Sequence, residues 1–435
     1  MVPVTARRIS LDIEEAISAG RLEPGSRLTP VRELAAELGV SPTTVSAAYR
    51  RLRERGLVTG RGRQGTRVAP LPSRRSPLDH SVPSGLIDAT NGSPDPALLP
   101  PLAPALVAAA GAPAPRYGAD QLVGELRAVA RDQFAWKSDD EYGITVTSGA
   151  MDAVERVLRA RDLRTGDRVG VEDPGHIPVH QLIRSAGLEA VPVPVDEQGV
   201  TPAGLASALS RGVSALIVTP RAQNPTGAAF TPERAAALNE ILSGFPEVMV
   251  VQDDHAGPIS GTPWTGLVPP GPRWATIRSV GKSFGPDLRL ALVAADFRTI
   301  DRCTTDMANG PGWVSHILQR ATAHLLTDPE SLRHVQIATD AYRERREGLI
   351  AALRRRGVEA SGPSGLNVWV PTPDEQAMVE AARSAGYAIM AAAPWRIVSP
   401  PAVRITISTL GPDDIERLAE ALAPPRHSRH HAQQV

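Results

Sequence analysis

Lysine is almost missing from this chain: of 47 basic side chains in 435 residues only Lys137 and Lys282 are lysines, the rest being arginine. The two cations are not interchangeable, because a desolvated lysine can lose its proton and attack a carbonyl whereas a guanidinium stays protonated. Lys282 therefore stands out as an amine kept for its chemistry. Cysteine is scarcer still. Lone Cys303 excludes an intrachain disulfide and any zinc site built from several cysteines, in keeping with a reducing, cytoplasmic setting. Long apolar runs are also absent. The start MVPVTARRIS has no apolar leader segment and the stretch 102–114 is broken by Pro104 and Pro113, so neither export nor a membrane span is expected.

Net charge is lacking too, with 47 acidic residues against 47 basic, yet residues 1–75 carry fourteen arginines and only seven acids. A polyanion is drawn to that end and not to the acidic remainder. With 42% hydrophobic residues the chain is long enough for two or three domains.

At the basic end, Ile9, Ile13 and Ile17 recur every fourth residue and predict a helix over 6–19, stopped by Gly20. Thr29 is expected to cap a second helix with Pro30 at its first position. That helix would bury Val31, Leu34, Ala35 and Leu38 and end at Gly39. Ser41-Pro42 opens a third helix that buries Val45, Ala48, Tyr49 and Leu52 and stops at Gly56. Only Gly39-Val40-Ser41 separates the second and third, the short turn of a helix-turn-helix. Residues 57–59 and 66–68 then alternate like two strands around Gly60–Gly65, a hairpin tipped with Arg61 and Arg63. Gly60, Gly62 and Gly65 spell G-x-G-x-x-G, but no helix follows, which excludes a dinucleotide site.

The run GRLEPGSRL, VRELAAELGVSPTTVSAAYRRLRERGLV and GRGRQGTRV resembles the GntR-type winged helix-turn-helix across residues 6–69. The resemblance implies double-stranded operator DNA as partner, with Arg32, Ser41, Thr43, Thr44 and Ser46 facing it and Arg63 and Gly65 at the wing. The chain departs from the family pattern at Thr29-Pro30, usually Pro-Ser, and at Pro42, commonly an arginine.

Residues 69–88 are rich in proline and serine and read as a tether. Beyond it, β-branched runs at 144–147, 168–171, 190–195, 215–219, 248–252, 274–279 and 290–294 alternate with helical stretches, the pattern of a mostly parallel sheet with helices on both faces. Ligands of such sheets bind beyond the carboxyl ends of the strands. There the chain places Ser148-Gly149-Ala150 before a helix over 151–161, Asn224 in a turn, Asp253-Asp254-His255, and Lys282 among small residues. Taken singly, Asn224 could make a turn, Asp253 cap a helix and Arg404 sit solvated on a strand.

In order, SGA, EDPGH, NPTG, DD, S-x-x-K and arginine resemble the class I aminotransferases of fold-type I, from residue 89 to 420. The resemblance implies pyridoxal 5'-phosphate as cofactor, bound to Lys282 as a Schiff base. Asp253 would pair with the pyridine nitrogen and Asn224 with the ring oxygen. Gly149, Ala150, Ser279 and Arg289 would hold the phosphate, reached also by Tyr117 from the other subunit of a homodimer. Arg404 would take an effector carboxylate. His176 stands where an aromatic residue often stacks on the ring, and His255 where a tyrosine usually touches the ring oxygen.

A GntR-type head on an aminotransferase-like body is the architecture of the MocR subfamily of transcription regulators, which the chain resembles from end to end. The expected fold is α/β: a winged helix-turn-helix over 1–69, a linker over 70–88, and a fold-type I domain over 89–425. That domain would carry a mostly parallel sheet and a small α+β part from about 321, with a polar tail over 426–435. His427, His430 and His431 in the tail suggest fraying more than a metal site, and no metal is expected. The expected function is a cofactor-responsive regulator that senses pyridoxal phosphate or an amine at Lys282. The alternative is a working aminotransferase with an accessory DNA-binding head; the expectation leans away from an enzyme, with steady-state transamination weak or absent and room only for weak or half-reaction activity.

Overall fold

The structure, a computed structural model, describes residues 5–54, 57–59, 65–68, 82–134, 142–269 and 271–424. The chain divides into two compact units, one of residues 1–81 with 164–166 and 181–189, the other of the remainder.

The head contains α1 (Ala6–Ser18), α2 (Val31–Glu37), α3 (Pro42–Glu54) and the antiparallel pair β1 (Val58–Thr59) and β2 (Arg67–Val68). Ile9, Ala35, Val45, Ala48, Tyr49, Leu52, Val58 and Val68 form its core, so the periodicity read from the sequence is the packing. α3 starts as expected, with Ser41 Oγ accepting from the Thr44 amide at 3.2 Å. α2 does not. It begins one residue later than expected, because Pro30 is extended (φ −54°, ψ 142°) and its carbonyl accepts the first helical bond, from Leu34. Thr29 is no cap; its carbonyl accepts from the Tyr49 hydroxyl at 2.6 Å and so ties the turn to α3. Leu38, expected inside, is exposed at the helix end.

The body opens with β3 (Ile87–Asp88), α4 (Ala103–Ala110) and α5 (Gly124–Gln133). Its large sheet contains β4 (Gly143–Thr147), β5 (Arg168–Asp173), β6 (Glu189–Asp196), β7 (Gly199–Val200), β8 (Ala215–Val218), β9 (Met249–Asp254), β10 (Trp274–Ser279) and β11 (Ala291–Ala295). Between them run α6 (Ala150–Ala160), α7 (Ile177–Ser185), α8 (Pro202–Ser210), α9 (Pro232–Leu242) and the single turn α10 (Gly281–Phe284). The spatial order is β4-β11-β10-β9-β8-β5-β6-β7. β5, β8, β9 and β10 are parallel, and β11 runs against both of its neighbours. β8 and β9 are buried at every residue, as strands covered on both faces must be. One apolar cluster joins Leu216, Val218 and Val250 to Leu205, Leu209 and Leu238 of α8 and α9, and a larger one contains Val146, Leu292 and Ala294.

The chain continues through α11 (Phe297–Ala308), α12 (His316–Thr327) and α13 (Pro329–Arg355). α13 begins well before the expected 341, because Asp328 accepts from the Ser331 amide at 2.8 Å and Pro329 occupies the first turn. Then come β12 (Asn367–Pro371), α14 (Glu375–Ser384), β13 (Tyr387–Ala388), β14 (Met390–Ala391), β15 (Ala402–Thr406) and α15 (Pro412–Ala421). β12, β15 and β14 form a separate three-stranded sheet, and β13 pairs in parallel with β3.

Candidate functional site

The carboxyl ends of β4, β5, β8, β9 and β10 carry Ser148-Gly149, Asp173, Thr219, Asp253-Asp254 and Ser279. Because β11 is antiparallel, its beginning lies at the same edge: Ala291 sits opposite both Ser279 and Thr147. Arg289, two residues before, thereby meets the start of α6 although some 140 residues of chain separate them. Its Nη2 donates to the Ser148 carbonyl at 3.4 Å, and a Cβ added to Gly149 would stand 3.3 Å from that nitrogen. Gly149 is at φ +98°, accessible to glycine at little cost, and no side chain caps α6 there. Ala150 is the first residue of α6, and Ser279 Oγ accepts from the Gly281 amide at 3.3 Å. Open helix-terminal amides, a hydroxyl and a guanidinium suit a phosphate.

Lys282 follows β10 in α10, and its Nζ donates to the Gly92 carbonyl. Burial and the neighbouring Arg404 lower its amine to about 8, so about a tenth of it is neutral and nucleophilic at pH 7, far more than for an ordinary lysine. Asp253 has the opposite problem. Its Oδ1 is buried with no hydrogen-bond partner, and burial, with Asp254 and Glu172 nearby, raises the carboxyl to about 7. A buried carboxylate oxygen without a partner is costly, and an N–H or a proton removes the cost. Asp254 beside it is matched, receiving Arg221 through two bonds of 2.8 Å.

Asn224 stands between the other groups. Its Oδ1 accepts from Arg404 Nη1 at 3.0 Å, which turns its amide nitrogen toward His176 Nδ1 at 3.2 Å. His176 is therefore neutral with its proton on Nε2, in line with a value pushed well below the usual by burial, His255 and Lys282. The His176 and His255 rings are parallel within 5°, centroids 6.4 Å apart, and His255 is lowered to about 4 by burial and Lys282. Arg404 is 3% exposed, stacks 4.4 Å over Trp395, donates to the Thr90 carbonyl and leaves Nε without a partner. Burial lowers it to about 9, so it stays cationic at neutral pH.

Sequence reasoning located these side chains but missed Thr90, Gly92, Trp395 and the buried Glu172, whose carboxylate accepts from the Thr219 amide and hydroxyl at 2.8 and 2.9 Å. Tyr117 lies apart from the others, 96% exposed, with its ring edge-on to Trp313.

In the head, Arg32 on α2 is exposed, as are Ser41, Thr43 and Ser46 at the start of α3, and Thr44 is half-buried. Ser41 Oγ lies 2.6 and 2.8 Å from the Thr43 and Thr44 hydroxyls. Gly65, at φ +76°, leaves room that a Cβ would take from Arg27, 2.7 Å from Nε. Arg61 and Arg63 lie outside the described residues, as do Lys137 and the tail histidines.

Two families match the two units. The profile of bacterial regulatory proteins of the gntR family matches residues 5–68, and that of aminotransferases class I and II matches residues 107–422. The chain is 38% identical over 418 residues to PtsJ of Salmonella typhimurium, a vitamin B6 salvage pathway transcriptional repressor, covering 95% of this chain and 97% of that one. This chain is a MocR-type regulator of the GntR family. MocR of Rhizobium meliloti, a probable rhizopine catabolism regulatory protein, is 26% identical over 392 residues, covering 80% of this chain and 77% of its own. Among solved structures, the LysN α-aminoadipate aminotransferase of Thermus thermophilus, complexed with N-(5'-phosphopyridoxyl)-L-leucine, superposes with a TM-score of 0.68 at 22% identity. The match covers 78% of this MocR-type chain and 92% of the enzyme and shows the fold. No helix among the described residues is long and apolar enough to cross a membrane.

Proposed function

We propose that this regulator binds pyridoxal 5'-phosphate at Lys282 and couples the state of that site to operator binding by a homodimer. The observation that carries the reading is Asp253 Oδ1, buried without a partner at the strand edge that also holds the Lys282 amine. The cofactor's ring N–H supplies the missing donor, so the residues present fit the group. Bound there, it offers an aldehyde to the amine and a ring that draws electrons when its nitrogen is protonated. Gly149, Ala150, Ser279 and Arg289 hold the phosphate, and the Asn224 amide faces the ring oxygen. His176 would stack on the ring and His255 would touch the ring oxygen, roles that their near-parallel rings, 6.4 Å apart, support. Similarity to a vitamin B6 repressor supports pyridoxal phosphate itself as one signal. Exposed Tyr117 suits a reach into the partner subunit's site, and Arg32, Ser41, Thr43, Thr44 and Ser46 would face DNA, with Arg63 and Gly65 at the wing.

A working aminotransferase is the second reading, favoured by Arg404, a buried cation with a free Nε suited to a carboxylate. Operator titrations at fixed salt with apo, cofactor-loaded and amine-treated protein, run beside Lys282→Ala, test the first reading. Curves that differ between states support it, and superimposable wild-type curves remove it. Robust turnover of an amino-acid and keto-acid pair selects the second.

A further inference from the structure

The two groups most needed by a ligand, the Lys282 amine and the Arg404 guanidinium, both donate to backbone carbonyls of one short segment, to Gly92 and to Thr90. Gly92 lies beside both: a Cβ added there would stand 3.9 Å from Lys282 Nζ and 3.8 Å from Arg404 Nη1. The segment is folded on itself as a polar turn. Asp88 Oδ1 accepts from the Thr90 amide and hydroxyl at 2.7 and 2.6 Å, and Asn91 Oδ1 from the Ser93 amide at 2.9 Å. Its downstream end is pinned by Tyr342, whose hydroxyl accepts from the Asp95 amide at 2.9 Å, and by Arg345 on the Asp95 carboxylate at 3.0 Å. Upstream, the hold is slight. β3 is two residues long and joined to its partner strand through the amides of Ile87 and Ala89, each at 2.9 Å, while the Ala89 carbonyl accepts from Thr406. Such a short strand opens easily once its neighbours let go.

We infer that Thr90–Gly92 is a built-in occupant of the ligand site whose two holds are released separately, by cofactor at Gly92 and by a carboxylate at Thr90. The inference rests on the cofactor reading above and adds to it the class of the second ligand. Condensation of the neutral Lys282 amine with an aldehyde forms a carbon–nitrogen double bond. The two amine hydrogens leave with the carbonyl oxygen as water, so the hydrogen held by Gly92 is gone. Arg404 keeps its hydrogens, but a carboxylate is a stronger acceptor for a guanidinium than a neutral carbonyl and takes a two-bond fork. Pyridoxal phosphate alone therefore frees the Gly92 hold. A primary amine that takes over the carbon–nitrogen double bond expels Lys282 with its two hydrogens restored, so the Gly92 hold returns, and a carboxylate on that amine frees Thr90 instead. An amine without one, whatever its affinity, leaves Thr90 bound.

Hydrogen–deuterium exchange of the full-length protein, followed on a peptide covering residues 86–95, tests this directly. Saturating pyridoxal phosphate should speed its exchange by about tenfold or more, as loss of one strong hold implies. Addition of an amino acid should keep it fast, with Thr90 now free, and addition of the corresponding decarboxylated amine should return it toward the ligand-free rate, with both holds made. Arg404→Gln should keep the response to pyridoxal phosphate and lose the distinction between the two amines, and Lys282→Ala should lose the response to pyridoxal phosphate. Unchanged or slower exchange on cofactor binding overturns the inference, as does an equal response to both amines. Visible absorbance and operator titration are read on the same samples. If these show cofactor capture and coupling while the peptide is unaffected, the latch alone fails; if they show neither, the cofactor reading fails with it.

Discussion

The head and the body use polar groups in opposite ways. At the start of α3 the hydroxyls of Ser41, Thr43 and Thr44 satisfy one another, so this side of the head is stable without a partner. In the body, Asp253 Oδ1 and Arg404 Nε are buried without partners, and the Lys282 amine is lowered by burial. A surface that is complete alone gains affinity when a partner arrives but little rigidity. A pocket that is unsatisfied alone gains stability from its ligand, and that gain can be coupled to another site.

The sharpest way to separate the two is Lys282→Ala. It should abolish covalent capture of pyridoxal phosphate, read as loss of the visible band and of borohydride labelling, and with it any response of operator affinity to the cofactor. Next in size, cofactor at a hundredfold excess over its Kd should stabilise the body by about 2.7 kcal/mol. In exchange or proteolysis measurements, peptides of α1–α3 should not share that protection; equal protection would erase the contrast.

Asp253→Asn should stabilise the ligand-free body at pH 8 by about 1–3 kcal/mol, the usual cost of a buried unsatisfied group. The sign follows from linkage. The folded carboxyl is raised from 3.8 to about 7, so the folded state holds the extra proton in that interval and loses stability as pH rises through it. The gain from the substitution should accordingly shrink from pH 8 toward pH 5 in urea unfolding. The smallest effect belongs to the head, where Ser41→Ala removes the α3 cap and should cost about 1 kcal/mol of head stability with the body's melting unchanged.

The same contrast explains what could be read in advance. The α3 cap, the Gly39 turn and the Ile9, Val45, Tyr49 and Leu52 face depend on neighbours in sequence and were legible. Strand ends mark ligand sites in parallel sheets, which made Gly149, Asp253 and Lys282 legible as well. Thr90 and Gly92 were not, because they act through carbonyls that every residue possesses. Trp395 beneath Arg404 and the parallel pairing of His176 with His255 arise from contacts distant in sequence, which no local pattern encodes. The error at Thr29 was of another kind: the residue type suited a cap, but the extended Pro30 moved the helix start past it.

Reversal of β11 also sets an order of assembly. Among the described residues, the apolar core of the head is built from residues 6–68, which leave the ribosome first. The pocket needs Arg289 to return beside Gly149 and then waits for β15 to deliver Arg404 to Thr90 and Asn224. Since domains tend to fold in order of synthesis, the DNA-reading part matures on a chain that still has no ligand pocket. Chains truncated before residue 404 would keep the older ability and never acquire the younger one.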